Sequence, residues 1–242
     1  ESHILGTDEF QVVDVLDGQQ RLTTLIILFK TIALALDPLD KAETKLIGEI
    51  TELLVNVEGD ELLLLQTNHD ASHHFSNYLR QGIAPLPDTA KTVADREILE
   101  AIQDCKTFVE TWKAKTSSLS NLVALLKNRL FFLLHEIDDE KSVYTVFEVL
   151  CCRGLDVSWI DRLKSILIGS AFELKNANND GIITDLHKCW RDIYAVIGLR
   201  QGLSTEALRF AATLSAAHAP SRPLGEQDSV ELLKSIAVDA AK

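Results

Sequence analysis

Asp17-Gly18-Gln19-Gln20-Arg21 combines groups that can bind and turn over an anionic ligand. It lies between a short β-branched stretch and a long apolar run, where a strand would hand over to a helix. The first turn of a helix leaves backbone N–H groups without intrahelical partners and carries the positive end of the macrodipole, so it can hold phosphate. Gly18 permits a tight turn and a close ligand, and Arg21 can fork onto phosphate oxygens. Gln19 and Gln20 can each donate and accept hydrogen bonds, and Asp17 can hold a metal ion or position a water. Thr23 and Thr24 add hydroxyls just inside the helix. The alternative is a structural corner in which Asp17 caps the helix and Arg21 pairs with it. The pattern on its own matches no established phosphate loop.

Other polar groups compete with this corner for a functional role. His69, Asp70, His73 and His74 have partly the spacing of a helical metal site, but no glutamate follows the first histidine and no third ligand is evident. A solvated helix face is the better reading, and no metal ligands are assigned. Ser158-Trp159-Ile160-Asp161 is a capping box, so Asp161 is read as structural, with Lys164 three residues on along the same face. Gly154 suits a helix exit, which does not account for Arg153 beside it. Trp112, Trp159 and Trp190 read as packing residues, and Cys151 and Cys152 as small buried hydrophobes.

The elements that must position these groups follow from periodicity and breakers. Residues 10–16 read as a strand, Asp17-Gly18 as a turn, and 19–36 as an apolar helix stopped by Asp37-Pro38. On that helix Leu22, Leu25, Ile26, Phe29 and Ala33 share a face, and Ile27, Leu28 and Leu34 widen it enough to predict burial on most sides. Amphipathic helices are predicted over 40–57, 68–81 and 90–115. Residues 129–137 read as a buried strand, though by periodicity alone they fit a helix too. A helix over 141–151, another from about 158, and three more within 181–242, broken at 220–225, complete the chain.

Length and composition bound the answer. The 242 residues suffice for a sizeable core, and 46% hydrophobic with 25% charged residues excludes a disordered or fibrous chain. The longest largely apolar run, 22–36, is interrupted by Lys30 and too short to span a bilayer, and no secretory leader is visible. Four cysteines without a C-x-x-C suggest neither a disulfide framework nor a zinc site, so a cytoplasmic location is expected. The net charge of −12 argues against a surface that coats nucleic acid. Residues 1–120 carry 10 basic and 20 acidic side chains and the remainder 14 and 16, so any DNA contact is expected to be local and in the second half. The absence of methionine reads as a fragment of a longer protein, or as a sequence from which methionines are missing.

The run VLDGQQRLTTLIILFKTI closely resembles the (I/V)-V-D-G-Q-Q-R-L-T-T-L signature of the GmrSD-type modification-dependent restriction and phage-defence family. A second block, 147–158 with Asp161 and Lys164, resembles the family's F-E-x-L-N-x-R-G-x-x-L-S-x-x-D-x-x-K, with Cys151 where the family has Asn. The resemblance implies an α+β, mostly helical fold: a truncated ParB/sulfiredoxin-like α/β portion with a small sheet, then a helical body. It divides the chain into an incomplete N-terminal domain over 1–170 and a helical extension over 171–242. It implies hydrolysis of a nucleoside triphosphate with Mg²⁺, coupled to cleavage of modified duplex DNA by a separate HNH-type nuclease domain or subunit. By position, Asp17, Gln20 and Arg21 would be catalytic, and Gly18, Gln19, Gln20, Arg21, Arg153 and Lys164 would bind nucleotide. The two motifs are expected to share one site, brought together by pairing of 10–16 with 129–137. Alternatives are a ParB-like clamp gated by nucleotide with little turnover, and a helical interaction module. A homo-oligomer is compatible with each, and no membrane association is expected.

Overall fold

A helix as apolar as 19–36 is stable in water only if covered on several sides, and α1 (Gln19–Ala35) is so covered. The structure, a computed structural model, describes residues 2–5, 8–11, 13, 15, 18–56, 62–63, 65, 73–116, 118–137, 159–173, 179–200, 202–218 and 220–240. The chain forms two compact units, Glu1–Leu134 and His135–Lys242.

In the first unit α1 packs against α2 (Lys41–Leu54), α3 (His74–Gln81) and α4 (Val93–Thr116). Ile27 and Ile32 of α1 are wholly buried, whereas Leu34 of the predicted face is exposed. Ile98, Ile102, Cys105 and Val109 recur three and four residues apart, forming one buried face of α4 in the same core. Each such large side chain contributes about 1.5–3 kcal/mol by leaving water. Local chemistry sets the helix ends. Asp40 caps α2 by accepting from the N–H groups of Ala42 and Glu43 at 2.8 and 3.0 Å. Before α4, Thr92 Oγ1 accepts from the Asp95 N–H at 3.1 Å, and Asp95 Oδ2 accepts from the N–H groups of Lys91 and Thr92 at 3.0 and 3.1 Å. That reciprocal box lets the wholly buried Asp95 carboxylate satisfy backbone donors. Lys113 Nζ donates to the Ala35 carbonyl at 3.0 Å, meeting an orphan acceptor at the negative end of α1.

The second unit comprises α6 (Trp159–Glu173), α7 (Asn179–Ile197), α8 (Leu203–Ser215) and α9 (Glu226–Ala240). Its core holds Ile160, Leu163, Trp190, Ile197, Leu208 and Val230. The break before α9 is pinned to α8 on both sides. Arg209 Nε donates to the Leu224 carbonyl at 2.8 Å, and the Leu224 N–H donates to Thr213 Oγ1 at 3.0 Å.

The mostly helical expectation fits, but the α+β assignment with its small sheet is overturned. Among the described residues the extended pairing is confined to two isolated hairpin ladders. β1 (Ser2–Leu5) pairs antiparallel with β2 (Asp8–Gln11), placing His3 opposite Phe10, and β3 (Val55–Asn56) pairs with β4 (Leu62–Leu63). Phe10 therefore finds its partner in His3, and Val13 and Val15 carry no strand. Residues 130–137 have no regular structure and are exposed from 130 to 136, so they supply no buried strand. No strand among the described residues pairs with them. Helix α5 (Leu119–Arg129), absent from the sequence expectation, starts at Ser118, whose Oγ accepts from the Asn121 N–H at 3.3 Å. It runs through Arg129, its last turn carrying Lys127 and Arg129 against the negative end of the helix. Two-stranded ladders alone do not make a stable α/β layer. Helix α3 falls within the predicted 68–81, and the expected helix over 141–151 lies outside the described residues. No helix among the described residues is long and apolar enough to cross a membrane.

Candidate functional site

Helix α1 begins at Gly18, an N-cap with φ 84° and ψ 7°. That left-handed conformation costs other residues roughly 1–2 kcal/mol and costs glycine almost nothing. A glycine N-cap has no side chain to offer the helix, and the first turn of α1 contains no acidic residue. The structural corner, in which Asp17 caps the helix and Arg21 pairs with it, turns on Asp17, which lies outside the described residues. The helix proper starts with the Leu22 N–H donating to the Gly18 carbonyl at 2.9 Å.

Residues three apart on a helix share a face, and the Arg21 side chain uses that spacing to return over Gly18. Its Nη2 and Nε stand 3.9 and 4.0 Å from the point where a Cβ on Gly18 would be. Gln19 and Gln20 are successive helical residues and point about 100° apart. Gln19 is turned back, its Nε2 donating to the Val15 carbonyl and so tying the entering chain to the first turn. Gln19, Gln20 and Arg21 are all exposed, and Gly18 is half-buried. The corner is rooted in the core one turn further on, where Cys105 Sγ of α4 lies 3.9 Å from the Thr24 carbonyl.

The electrostatic setting of α1 becomes more apolar along its length. Partial burial holds the Lys30 ammonium below its usual range. Burial, with Asp104 adding to it, pushes the Cys105 thiol from 9.0 up to about 11. Burial also raises Tyr78 on α3, partly offset by its hydrogen bond to Thr31.

The structure brings together Gly18, Gln19, Gln20 and Arg21. Lys164 is half-buried on α6 of the second unit. Asp17 and Arg153 lie outside the described residues, as do Cys151, Cys152 and the Ser158 cap. The solvated-face reading of the histidine segment needs correction at His74. It is buried, with Nε2 3.3 Å from the Thr89 carbonyl and 3.4 Å from Thr89 Oγ1, whereas His73 is exposed. Among the described residues no group of three or more His, Cys, Asp or Glu could hold a metal ion. Val15 escaped the sequence reading because its contribution is a backbone carbonyl, which no residue type announces.

A family model described as GmrSD restriction endonuclease, N-terminal domain, matches residues 3–168. The match spans both the Gly18–Arg21 corner and Lys164. No curated protein and no solved structure gives a match to the chain.

Proposed function

From the premise that the chain belongs to the GmrSD restriction endonuclease N-terminal domain family, and so to a restriction system, we propose that it is a sensor half that binds and hydrolyses a nucleoside triphosphate. The observation that carries this reading is the Arg21 guanidinium close to Gly18, where a helix N-terminus without a first-turn acid meets a cation. Both features favour a phosphate group, and the missing Cβ of Gly18 leaves room for one. Gly18, Gln20 and Arg21 would contact the phosphates, and Asp17 would meet a magnesium ion arriving with the nucleotide or orient the attacking water. Arg21 would neutralise charge that grows on the phosphoryl oxygens, which is positioning and electrostatics rather than covalent chemistry. Arg153 and Lys164 remain proposed contributors on the strength of the family pattern.

In this reading the nucleotide step governs cleavage of modified duplex DNA by an HNH-type nuclease domain or subunit. The acidity of residues 1–120 favours a DNA contact made by the less acidic second half. Arg21→Ala tests the nucleotide site. Because Arg21 is exposed, the substitution should abolish magnesium-dependent phosphate release while moving the thermal midpoint little. A large loss of stability with turnover retained would assign the corner a structural role instead.

A further inference from the structure

We propose that residues 130–134 are a self-complementary docking segment: a second copy of this chain pairs with them antiparallel, about a two-fold axis at Phe132. The association needs no nucleotide.

Leu130, Phe131, Phe132, Leu133 and Leu134 are all exposed and together present on the order of 600 Å² of apolar surface. The largest apolar patch of an ordinary monomer is about 300–600 Å², so a run of this size marks an interaction surface. The backbone is available as well. Leu130 ends α5 in an extended conformation, with φ −91° and ψ 129°. Among the described residues no backbone hydrogen bond involves 131–137. Unpaired N–H and C=O groups beside apolar side chains are a template for another extended chain.

The order of residues in the run selects a second copy as that chain. In an antiparallel pair about a two-fold axis, the residue on the axis faces itself and its neighbours pair outward in reverse order. With Phe132 on the axis, Phe131 lies opposite Leu133 and Leu130 opposite Leu134, so each apolar side chain meets another. The charges at the two ends match in the same arrangement. Arg129 precedes the run and Glu136 follows it, both exposed and neither ion-paired among the described residues. Antiparallel pairing brings the basic end of each copy to the acidic end of the other, whereas parallel pairing would bring like charges together. Two such runs bury about 1,200 Å² in all, the lower bound for a specific interface. The dimer is therefore weak, forming on the order of tens of micromolar, and its isologous contact closes at two copies.

Sedimentation velocity of the full chain, from about 1 to about 200 μM, reads the association directly. The unaltered chain should pass from monomer to dimer over that range. Phe132→Lys sets like charges opposite each other on the axis and should weaken dimerisation at least about tenfold. Arg129→Glu or Glu136→Arg alone brings like charges together at both ends and should weaken it about fivefold. The swapped chain, Arg129→Glu with Glu136→Arg, should recover the affinity, because each basic end again meets an acidic one. Register has its own test: Phe131→Lys should weaken the dimer, and adding Leu133→Glu should rescue it, since those two positions face each other. All these side chains are exposed, so thermal midpoints at about 1 μM should stay within a few degrees and separate lost pairing from lost folding. A chain still monomeric at about 200 μM would overturn the proposal and leave the run to a partner of different sequence. Growth beyond the dimer would overturn it in favour of non-specific stacking, and so would a swapped chain no better than either single variant.

Discussion

Arg21 and Gly18 meet at the start of α1, with Nη2 of the arginine 3.9 Å from the point where a side chain on the glycine would begin. A methyl group there would make ordinary contact, so the demand for glycine comes from the backbone and its φ of 84°. Gly18→Ala should therefore cost about 1–2 kcal/mol, roughly 2–8 °C in thermal midpoint for a chain of this size. Gly18→Asn tolerates the left-handed turn and should recover most of that stability. Its longer side chain would occupy the place where Arg21 rests, so phosphate release should stay low. Thermal denaturation and a phosphate assay on both variants check the split, and an alanine variant as stable as wild type would contradict the turn.

The hydroxyls of Thr31 and Tyr78 lie 2.8 Å apart in the core of the first unit. Thr31 Oγ1 has one proton, and the Ile27 carbonyl takes it at 2.7 Å. Tyr78 must then be the donor to Thr31. Thr31→Val removes the acceptor and strands a buried phenolic proton, costing about 1–3 kcal/mol. Tyr78→Phe removes the donor but leaves Thr31 its bond to Ile27, so it should cost about 1 kcal/mol or less. The double variant should be more stable than Thr31→Val alone. Equal losses from the two single variants in denaturant melts would show that the pair is not arranged this way.

What could be read from residue types was what neighbouring residues decide. Asp37-Pro38 ends α1 because proline cannot continue a helix, and Asp40 caps α2 through groups two and three residues away. The start of α1 at Gln19, just after Gly18, was legible for the same reason, since glycine marks a turn. The misreadings lie where distant partners decide. An unbroken apolar run over 130–134 is the pattern of a buried strand, but nothing within the run says whether a neighbouring strand exists. His74 looked solvated because its burial depends on Thr89, fifteen residues on in the connection between α3 and α4. The Gln19–Val15 contact was illegible because its acceptor is a backbone carbonyl available at any residue.

Cys105 and Tyr78 predict an alkaline loss of stability in the first unit. In the folded protein burial holds the thiol to about 11 and raises the phenol, whereas in the unfolded chain they ionise near 9.0 and 10.0. Between those values the unfolded chain binds fewer protons than the folded one, so stability falls as pH rises. The contribution is complete below pH 9 and lost as pH passes the folded values. Cys105→Ala should flatten the profile between pH 9 and 11, and a steeper profile would mean that another group dominates. In native protein at pH 8, Cys189, which is exposed, should alkylate much faster than Cys105.

The apolar run that the sequence pattern would bury lies in water instead. Phe131 and Leu133 are 84% and 86% exposed, and Phe132 and Leu134 are exposed beside them. Side chains that already lie in water lose little on replacement, so the double variant Phe131→Ser/Leu133→Ser should change the free energy of unfolding by no more than about 0.5 kcal/mol. Contiguous apolar groups in water do promote association, and the same variant should lower the light scattering of concentrated solutions. Burial as a strand would give a different result, because each large core side chain lost costs about 2–5 kcal/mol. Equilibrium denaturation therefore separates the two arrangements. A loss of several kcal/mol would return residues 130–134 to the core that their sequence pattern describes, and a flat response would leave them as the exposed apolar segment following α5.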